Sequence, residues 1–337
     1  MLMRIFAQAP CRVDLAGGTM DIWPLYLYHR DPVTLNFAVT VQTSCRIETL
    51  PGQAITLRSA DQGIEERFDS FAQLENTRKY RHPLAAHVVR YFRPGTGLMV
   101  ETHSESPAGA GISGSSAMLI AAVSAFNRLM KTGHSIERIR EIAQNIEARI
   151  IGVPTGCQDY YPAMYGGVSA IELLPSGIRR VAIGVDEDDL NQRFVLAYTG
   201  APRNSGINNW EVTKAHIDGD RKVHRNFARI AAIAAAMRLA LERSDWNETA
   251  RLLRQEWAHR RSNAPGITTP MIDRLMLAAR RAGAQAGKVC GAGGGGCVIF
   301  LAEPANRGRV AEAVEAAGAR VLPVQVASRG VRVKTEV

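Results

Sequence analysis

The chain has 337 residues, of which 46% are hydrophobic and 22% charged, and its 41 Lys and Arg against 32 Asp and Glu give a formal charge of +9. This composition is typical of a soluble globular protein and excludes a disordered or collagen-like chain. The longest apolar stretch, residues 117–126, is much shorter than the roughly 20 residues of a transmembrane helix. The N-terminal residues do not resemble a secretory signal, and the spacing of the five cysteines suggests neither disulfides nor a zinc site. We therefore expect a cytoplasmic protein of about two domains.

Strand-like and helix-like patterns are mixed along the chain. Strands are predicted at residues 4–8, 33–41, 46–50, 55–58 and 98–102, then helices at 115–129 and 135–150. Strands at 167–173, 181–183 and 194–198 precede helices at 223–241, 247–262 and 270–282. The last elements are strands at 288–290 and 297–301, a helix at 306–317, and strands at 320–326 and 331–335. This order indicates an α+β fold rather than a doubly wound parallel sheet, with domains at residues 1–185 and 186–337.

The strongest local motif is a loop of small residues at 106–113 that runs directly into a predicted helix. Its backbone can approach a ligand closely, and a helix N-terminus favours negative charge, so the pattern predicts a phosphate site. A flexible linker is the alternative, but the proline and the immediate helix favour phosphate binding. No Walker sequence occurs in the chain. The candidate phosphate-binding residues are Pro107, Gly109, Ala110, Gly111, Ser113, Gly114, Ser115 and Ser116.

A second glycine-rich segment, at residues 288–300, formally contains GxGxxG at Gly291, Gly293 and Gly296. A dinucleotide-binding fingerprint follows a strand and opens a helix, whereas these glycines join two strand-like runs. An NAD-dependent enzyme is therefore the weakest alternative. The segment instead predicts a hairpin whose bare backbone packs closely against the phosphate loop or a nucleotide.

Several charged residues lie beside glycine turns. Arg12, Asp14 and Asp21 surround the first turn, and Glu147 and Asp159 lie on either side of a later Pro/Gly turn. Each residue alone is explained equally well as part of a solvated turn. Combined with a phosphate loop, two carboxylates fit phosphoryl transfer, in which one acid holds Mg²⁺ and another orients or deprotonates an acceptor hydroxyl.

These segments, in this order, resemble the GHMP kinase superfamily, named for galactokinase, homoserine kinase, mevalonate kinase and phosphomevalonate kinase. Residues 9–21, 107–117 and 288–300 look like its three motifs, and residues 147–161 and 266–273 resemble most its bacterial heptose-phosphate and fucose kinase-like branch. The resemblance implies an N-terminal domain of ribosomal-protein-S5-like fold and a C-terminal ferredoxin-like domain. It places ATP and the acceptor in the cleft between them.

The resemblance also implies residue roles. Asp159 matches the catalytic aspartate and Arg12 the basic residue that stabilises its charge, while Ser115 and Glu147 match the Mg²⁺ ligands. Asp21 matches a ligand of the acceptor hydroxyl. The other predicted acceptor-site residues are Gly17, Gly18, Gly156, Gly293, Gly294 and Arg203. Arg203 is a candidate for binding a phosphate already on the acceptor, and an ordinary exposed loop arginine is the equal alternative.

We therefore predict an ATP- and Mg²⁺-dependent kinase that phosphorylates a hydroxyl of a sugar or sugar phosphate. A heptose 7-phosphate-like compound is the favoured acceptor. The protein is expected to be a monomer or a homodimer. Apolar Trp23, Leu25 and Leu27 leave open mevalonate or a related isoprenoid alcohol as acceptor. The positive charge leaves open a nucleic-acid-binding protein with a vestigial nucleotide fold, although the intact Asp, Arg and Ser set argues against nucleic acid. The arginine-rich segments 138–149 and 251–261 are interpreted as solvated helix faces.

Overall fold

The structure, a computed structural model, describes residues 3–202 and 205–336, and residues 205–208 by their backbone alone. The strands are β1 (Arg4–Ala16), β2 (Val33–Leu50), β3 (Ile55–Ser59), β4 (Ile64–Phe68), β5 (Gly97–Ser104), β6 (Val168–Leu174), β7 (Gly177–Ala182), β8 (Phe194–Tyr198), β9 (Ala284–Val289), β10 (Cys297–Ala302), β11 (Arg320–Leu322) and β12 (Arg332–Glu336). The helices are α1 (Phe71–Asn76), α2 (Pro83–Phe92), α3 (Gly114–Met130), α4 (Ile136–Ile151), α5 (Tyr160–Tyr165), α6 (Glu187–Asn191), α7 (Ser205–Ile217), α8 (Arg221–Glu242), α9 (Trp246–Arg260), α10 (Pro270–Arg281) and α11 (Pro304–Ala316). The predicted α+β class is confirmed. None of the helices in these residues is both long and apolar enough to cross a membrane.

The larger sheet is built around the long strand β2. Its order is β12-β1-β2-β5-β3-β4, and the first part of β2 also pairs with β6, which pairs with β7. Neighbouring strands are antiparallel except β3 and β5. Because β12 pairs with β1, the strands nearest the two ends of the chain lie side by side in this sheet.

Strand β1 is longer than its sequence predicts, and the added length carries functional residues. The prediction ends it at residue 8, before Pro10, but a register shift between Pro10 and Cys11 absorbs the proline and pairing with β2 continues to Ala16. Alternate residues of a strand share one face, so Arg12 and Asp14 point the same way. Residues 33–50 likewise form one strand rather than the two predicted.

The smaller sheet has the order β11-β8-β10-β9 and is antiparallel throughout. Its core includes Val195, Val298, Ile272 and Val310, the last two from α10 and α11. Strands β9 and β10 confirm the hairpin predicted around the second glycine-rich segment. The boundary predicted between residues 185 and 186 falls between β7 and α6 and stays a prediction.

Helix α3 places the phosphate loop against the larger sheet. It contacts β1 and β2, and every residue from Ser116 to Phe126 is buried, as its continuous run of small and apolar side chains requires. Helix α4 is capped by Ser135, whose hydroxyl accepts from the Arg138 amide, and it ends at Gly152 in the left-handed conformation. The elements missed from the sequence are mostly short ones: β4, α1, α2, α5, α6 and α7.

Candidate active site

A cavity of about 460 Å³ brings together three glycine-rich segments, residues 9–21, 107–117 and 288–300, and residues of β3, α2, α4 and α9. Most of the predicted site residues line it: Arg12, Gly18, Asp21, Pro107, Gly109, Ala110, Gly111, Ser113, Gly114, Ser115, Glu147, Gly156 and Asp159. Four further predicted residues are not among those that line the cavity: Gly17, Ser116, Gly293 and Gly294. Arg203 is outside the described residues.

The phosphate loop presents an uncapped helix start to the cavity. Gly109, Gly111 and Ser113 all have positive φ, so the loop curls tightly, and the Ala110 amide donates to the Pro107 carbonyl at 3.0 Å. Ser113 occupies the N-cap of α3 but makes no side-chain capping bond, and its buried Oγ has no hydrogen-bond partner among the described residues. An orphaned hydroxyl beside uncapped helix amides fits a bound phosphate group.

Glu147 accepts hydrogen bonds from three hydroxyl groups near the N-terminus of α3. Ser115 Oγ donates to its Oε1 at 2.5 Å, while Ser116 Oγ and Tyr160 Oη donate to its Oε2 at 2.8 and 2.5 Å. Burial raises the pKa of Glu147, and the hydroxyl hydrogen bonds offset part of that rise. Because Glu147 and Ser115 both line the cavity, two hard oxygen ligands stand next to the phosphate loop.

Arg12 connects all three glycine-rich segments. Its Nη1 donates to the carbonyls of Gly111 and Cys290, both at 2.7 Å, and its Nε and Nη2 donate to Asp159 Oδ1 at 3.0 and 2.7 Å. Burial lowers the pKa of Arg12, but the charges of Asp159 and Asp14 more than compensate, so the pKa is raised and the guanidinium stays charged.

Asp159 is the more accessible partner of this ion pair, with 26% of its side chain exposed against 3% for Arg12. Both bonds from Arg12 end on Oδ1. In the described part of the chain, Asp159 Oδ2 makes no hydrogen bond of its own. One carboxylate oxygen is therefore fixed, and the other is left for a group in the cavity.

Asp21 is buried next to this pair. Its Oδ2 accepts from the Gln158 amide at 2.8 Å, and a Cβ built on Gly156 would lie 2.0 Å from the same oxygen, so a larger residue there would displace the Asp21 carboxylate. Burial, with the neighbouring charge of Asp159, raises the pKa of Asp21 to about 7.

The remaining predicted glycines shape the chain behind the cavity. Gly17 has φ of +84°, and a Cβ there would meet the Val33 carbonyl at 2.2 Å. A Cβ on Gly293 would meet the Ile267 carbonyl at 2.3 Å, and the Gly294 amide donates to the same carbonyl at 2.9 Å. The Cys297 amide donates to the Ala110 carbonyl at 2.7 Å. The hairpin thus packs directly on the phosphate loop, as its sequence predicted.

Sequence reasoning missed a buried group of four charges, which we call the charge cluster: Asp14, Glu256, Arg260 and Lys288. Lys288 Nζ donates to Asp14 Oδ2 at 2.7 Å and lies 3.7 Å from Glu256 Oε1, and Arg260 also donates to Glu256 Oε1. The interpretation of residues 251–261 as a solvated face is wrong for Arg260, and that of 138–149 is wrong for Arg140, because both arginines are buried. The sequence does contain one indication of this pair: Glu256 and Arg260 are four residues apart, beside the apolar stripe of α9, so they are neighbours on one helix face.

Comparison with known proteins adds independent information. The family model described as GHMP kinases N terminal domain matches residues 80–167, and the one described as GHMP kinases C terminal matches residues 237–320. A D-glycero-alpha-D-manno-heptose 7-phosphate kinase of Campylobacter jejuni is 26% identical over 90% of this chain and 91% of its own length. A mevalonate kinase of Thermococcus gammatolerans is 26% identical over 98% and 99%.

A crystal structure of a D-glycero-D-manno-heptose 1-phosphate kinase from Bacteriodes thetaiotaomicron superposes with a TM-score of 0.78, at 25% identity over 99% of both chains. The fold and the site therefore define a small-molecule kinase. The chain belongs to the GHMP kinase superfamily. Like its relatives, it is an ATP-dependent phosphotransferase that acts on a hydroxyl group.

Proposed function

We propose that the protein transfers the γ-phosphoryl group of ATP to a hydroxyl of a sugar or sugar phosphate, with a heptose phosphate as the first candidate acceptor. The observation that carries this proposal is the Arg12–Asp159 pair, which joins all three glycine-rich segments at the wall of one cavity. The heptose-phosphate kinases among the relatives support the choice of acceptor.

In the proposed reaction, Asp159 acts as the base. Arg12 holds its Oδ1, so Oδ2 accepts the proton of the acceptor hydroxyl while that oxygen forms a bond to the γ-phosphorus and the bond to the leaving ADP oxygen breaks. The guanidinium of Arg12 forms an ion pair with the Asp159 carboxylate at 2.7 Å, which fixes the orientation of the base. Asp21, held by the Gln158 amide, accepts a hydrogen bond from the acceptor.

The phosphate end of the cavity has a separate task. The amides at the start of α3 and the Ser113 hydroxyl hold the ATP phosphates, because they are uncapped and unpartnered in the described residues. Ser115 Oγ and Glu147 would hold Mg²⁺, which offsets charge on the transferred group when bound. Since burial raises the pKa of Glu147, metal binding there would be favoured as the pH rises.

The apolar segment after Asp21 gives little support to an isoprenoid acceptor. Leu25 is buried in a core cluster with Phe227, while Trp23 and Leu27 are exposed. Of residues 22–27, Ile22 is the one that lines the cavity. Mevalonate is therefore kept as a comparison compound in the test.

The test measures ATP-dependent ADP release with D-glycero-D-manno-heptose, its 1- and 7-phosphates, fucose, galactose and mevalonate. We expect turnover with a heptose or heptose phosphate to exceed turnover with mevalonate. Asp159→Asn protein is the matched control, since it keeps the volume of the side chain but cannot act as the base. Turnover with mevalonate alone, or equal turnover by the Asp159→Asn variant, would refute the proposal.

A further inference from the structure

Arg260 reaches from the C-terminal end of α9 into the wall of the cavity. Its Nε and Nη2 donate to Glu256 Oε1 at 2.7 and 2.5 Å, and its Nη2 also donates to the Gly18 carbonyl at 3.0 Å. The guanidinium is almost fully buried, yet it lines the cavity together with Gly18, Thr19 and Asp21. This position puts it at the acceptor end of the site rather than at the phosphate loop.

A count of donors shows what Arg260 has left to offer. Arginine carries five N–H groups. Glu256 and Gly18 use the N–H of Nε and both of those on Nη2, and Nη1 makes one long contact of 3.5 Å with Thr19 Oγ1. That hydroxyl is itself held, because it donates to Asn209 Oδ1 at 3.0 Å. Within the described residues, Nη1 therefore keeps donor capacity for a group in the cavity.

The surrounding charges decide which kind of group fits. Arg260 and Lys288 are balanced by Glu256 and Asp14, and Arg12 is balanced by Asp159. Burial lowers the pKa of Arg260, but Glu256 and Asp14 more than compensate and raise it, so the guanidinium remains a donor across the working pH range. A dianionic phosphate beside Arg260 would be repelled by these carboxylates, because each nearby cation is already paired with one of them. A neutral hydroxyl needs only a hydrogen-bond donor and an acceptor, and it fits this environment.

We propose that Arg260 binds the acceptor directly: Nη1 donates to a sugar hydroxyl other than the one that is phosphorylated, and a phosphate on the acceptor lies away from Arg260. This inference rests on the proposed function, because it assigns part of the acceptor site of that kinase. Glu256 and Lys288 act as positioning residues. Glu256 fixes the plane of the guanidinium, and Lys288 holds both the carbonyl and the carboxylate of Asp14, at the start of the turn that carries Gly18.

The test is the affinity of D-glycero-D-manno-heptose 7-phosphate, measured by calorimetry with a non-hydrolysable ATP analogue present. A hydrogen bond from a charged donor predicts that Arg260→Met weakens binding of this sugar about tenfold or more, while the affinity for the ATP analogue stays unchanged. Arg261→Met is the matched control, because Arg261 is the next residue and is exposed. It should leave both affinities as they are.

Replacing Arg260 alone leaves Glu256 as a buried charge, which threatens folding. The double variant Glu256→Gln with Arg260→Met removes both charges and should fold with the same loss of sugar affinity. Monodeoxy analogues of the heptose phosphate then separate a contact from a structural effect. One analogue should bind the wild type more weakly than the parent sugar does, and that difference should vanish in the Arg260 variants.

Each outcome has one meaning. Equal sugar affinity in wild type and Arg260→Met, an equal loss for the ATP analogue, or deoxy differences that survive in the variants would overturn the assignment of Arg260. Sugar binding that depends on Arg260 without any ADP release from the wild type would instead overturn the proposed reaction. Neither binding nor ADP release would overturn both.

Discussion

The two ends of the cavity use different chemical groups: backbone groups at the phosphate loop and charged side chains near Asp21. At the phosphate loop, recognition depends on the backbone: glycines with positive φ, the uncapped start of α3 and one unpartnered serine hydroxyl. At the Asp21 end it depends on charged side chains, which β1, α9 and β9 bring together in the charge cluster. Backbone amides suit the phosphates of ATP, which are the same in every ATP-dependent enzyme. Oriented side chains can distinguish one acceptor from another.

The largest effect is expected from replacing Asp159, which lies between the two ends of the cavity. Asp159→Asn should lower turnover by about 10²- to 10⁴-fold, the usual contribution of a general base. The affinity for an ATP analogue should persist, because the phosphate loop does not use this side chain. Single-turnover kinetics with titration calorimetry measures both quantities, and a parallel loss of ATP affinity would show that the ends are not separate.

The next effect concerns the Mg²⁺ ligands at the phosphate end. Loss of a group that supports a metal ligand typically costs about 10- to 100-fold in metal affinity, and loss of a ligand should cost no less. Glu147→Gln should therefore raise the Mg²⁺ concentration for half-maximal turnover by at least about tenfold. Glu141→Gln is the control, since Glu141 is an exposed glutamate on the same helix, α4, and does not line the cavity. Identical Mg²⁺ curves for the two variants would contradict the assignment.

A smaller effect is a pH dependence of stability at the acceptor end. The folded protein raises the pKa of Asp21 from 3.8 to about 7, so the folded state favours the protonated form. The stability that Asp21 contributes is therefore fully present below about pH 4 and is lost as the pH rises through about 7. Asp21→Asn removes this loss, and its unfolding free energy relative to the wild type should rise by roughly 3 kcal/mol between pH 5 and 8.

Urea denaturation of Asp21→Asn and wild type at several pH values measures this difference. Asparagine keeps an oxygen that can accept from the Gln158 amide, so the packing is matched. If the difference in unfolding free energy does not change with pH, the pKa of Asp21 is not raised by folding. Asp21 would then be fully ionised at neutral pH and would add one negative charge to the acceptor end.

The smallest effect concerns Ser113, whose hydroxyl is the one side-chain donor assigned to phosphate in the backbone-built end. Ser113→Ala should lower ATP affinity by about two- to tenfold, the worth of one hydrogen bond. The unfolding free energy should stay equal or rise, because the buried hydroxyl has no partner among the described residues. Sugar affinity is the internal control. A drop in stability without a change in ATP affinity would assign the hydroxyl to the fold.

The same contrast explains how much could be predicted from the sequence. The phosphate loop and the β9–β10 hairpin are each continuous in sequence, and glycine spacing followed by a helix or strand has a local physical cause. The charge cluster joins Asp14 to residues more than 240 positions away, and no local pattern sets such a meeting. The strand predicted at residues 4–8 is shorter than β1, because a sequence does not show the register shift that lets β1 continue past Pro10 to Ala16.

The pairing of β12 with β1 has a consequence for the order of folding. Residues 4–8 pair with residues 332–336, so this edge of β1 stays open until nearly the whole described chain has left the ribosome. Contacts this distant in sequence form late, and an open strand edge invites pairing with other chains. Among the described residues, β1, which carries Arg12 and Asp14, is thus synthesised before its partner β12 and is fully enclosed late.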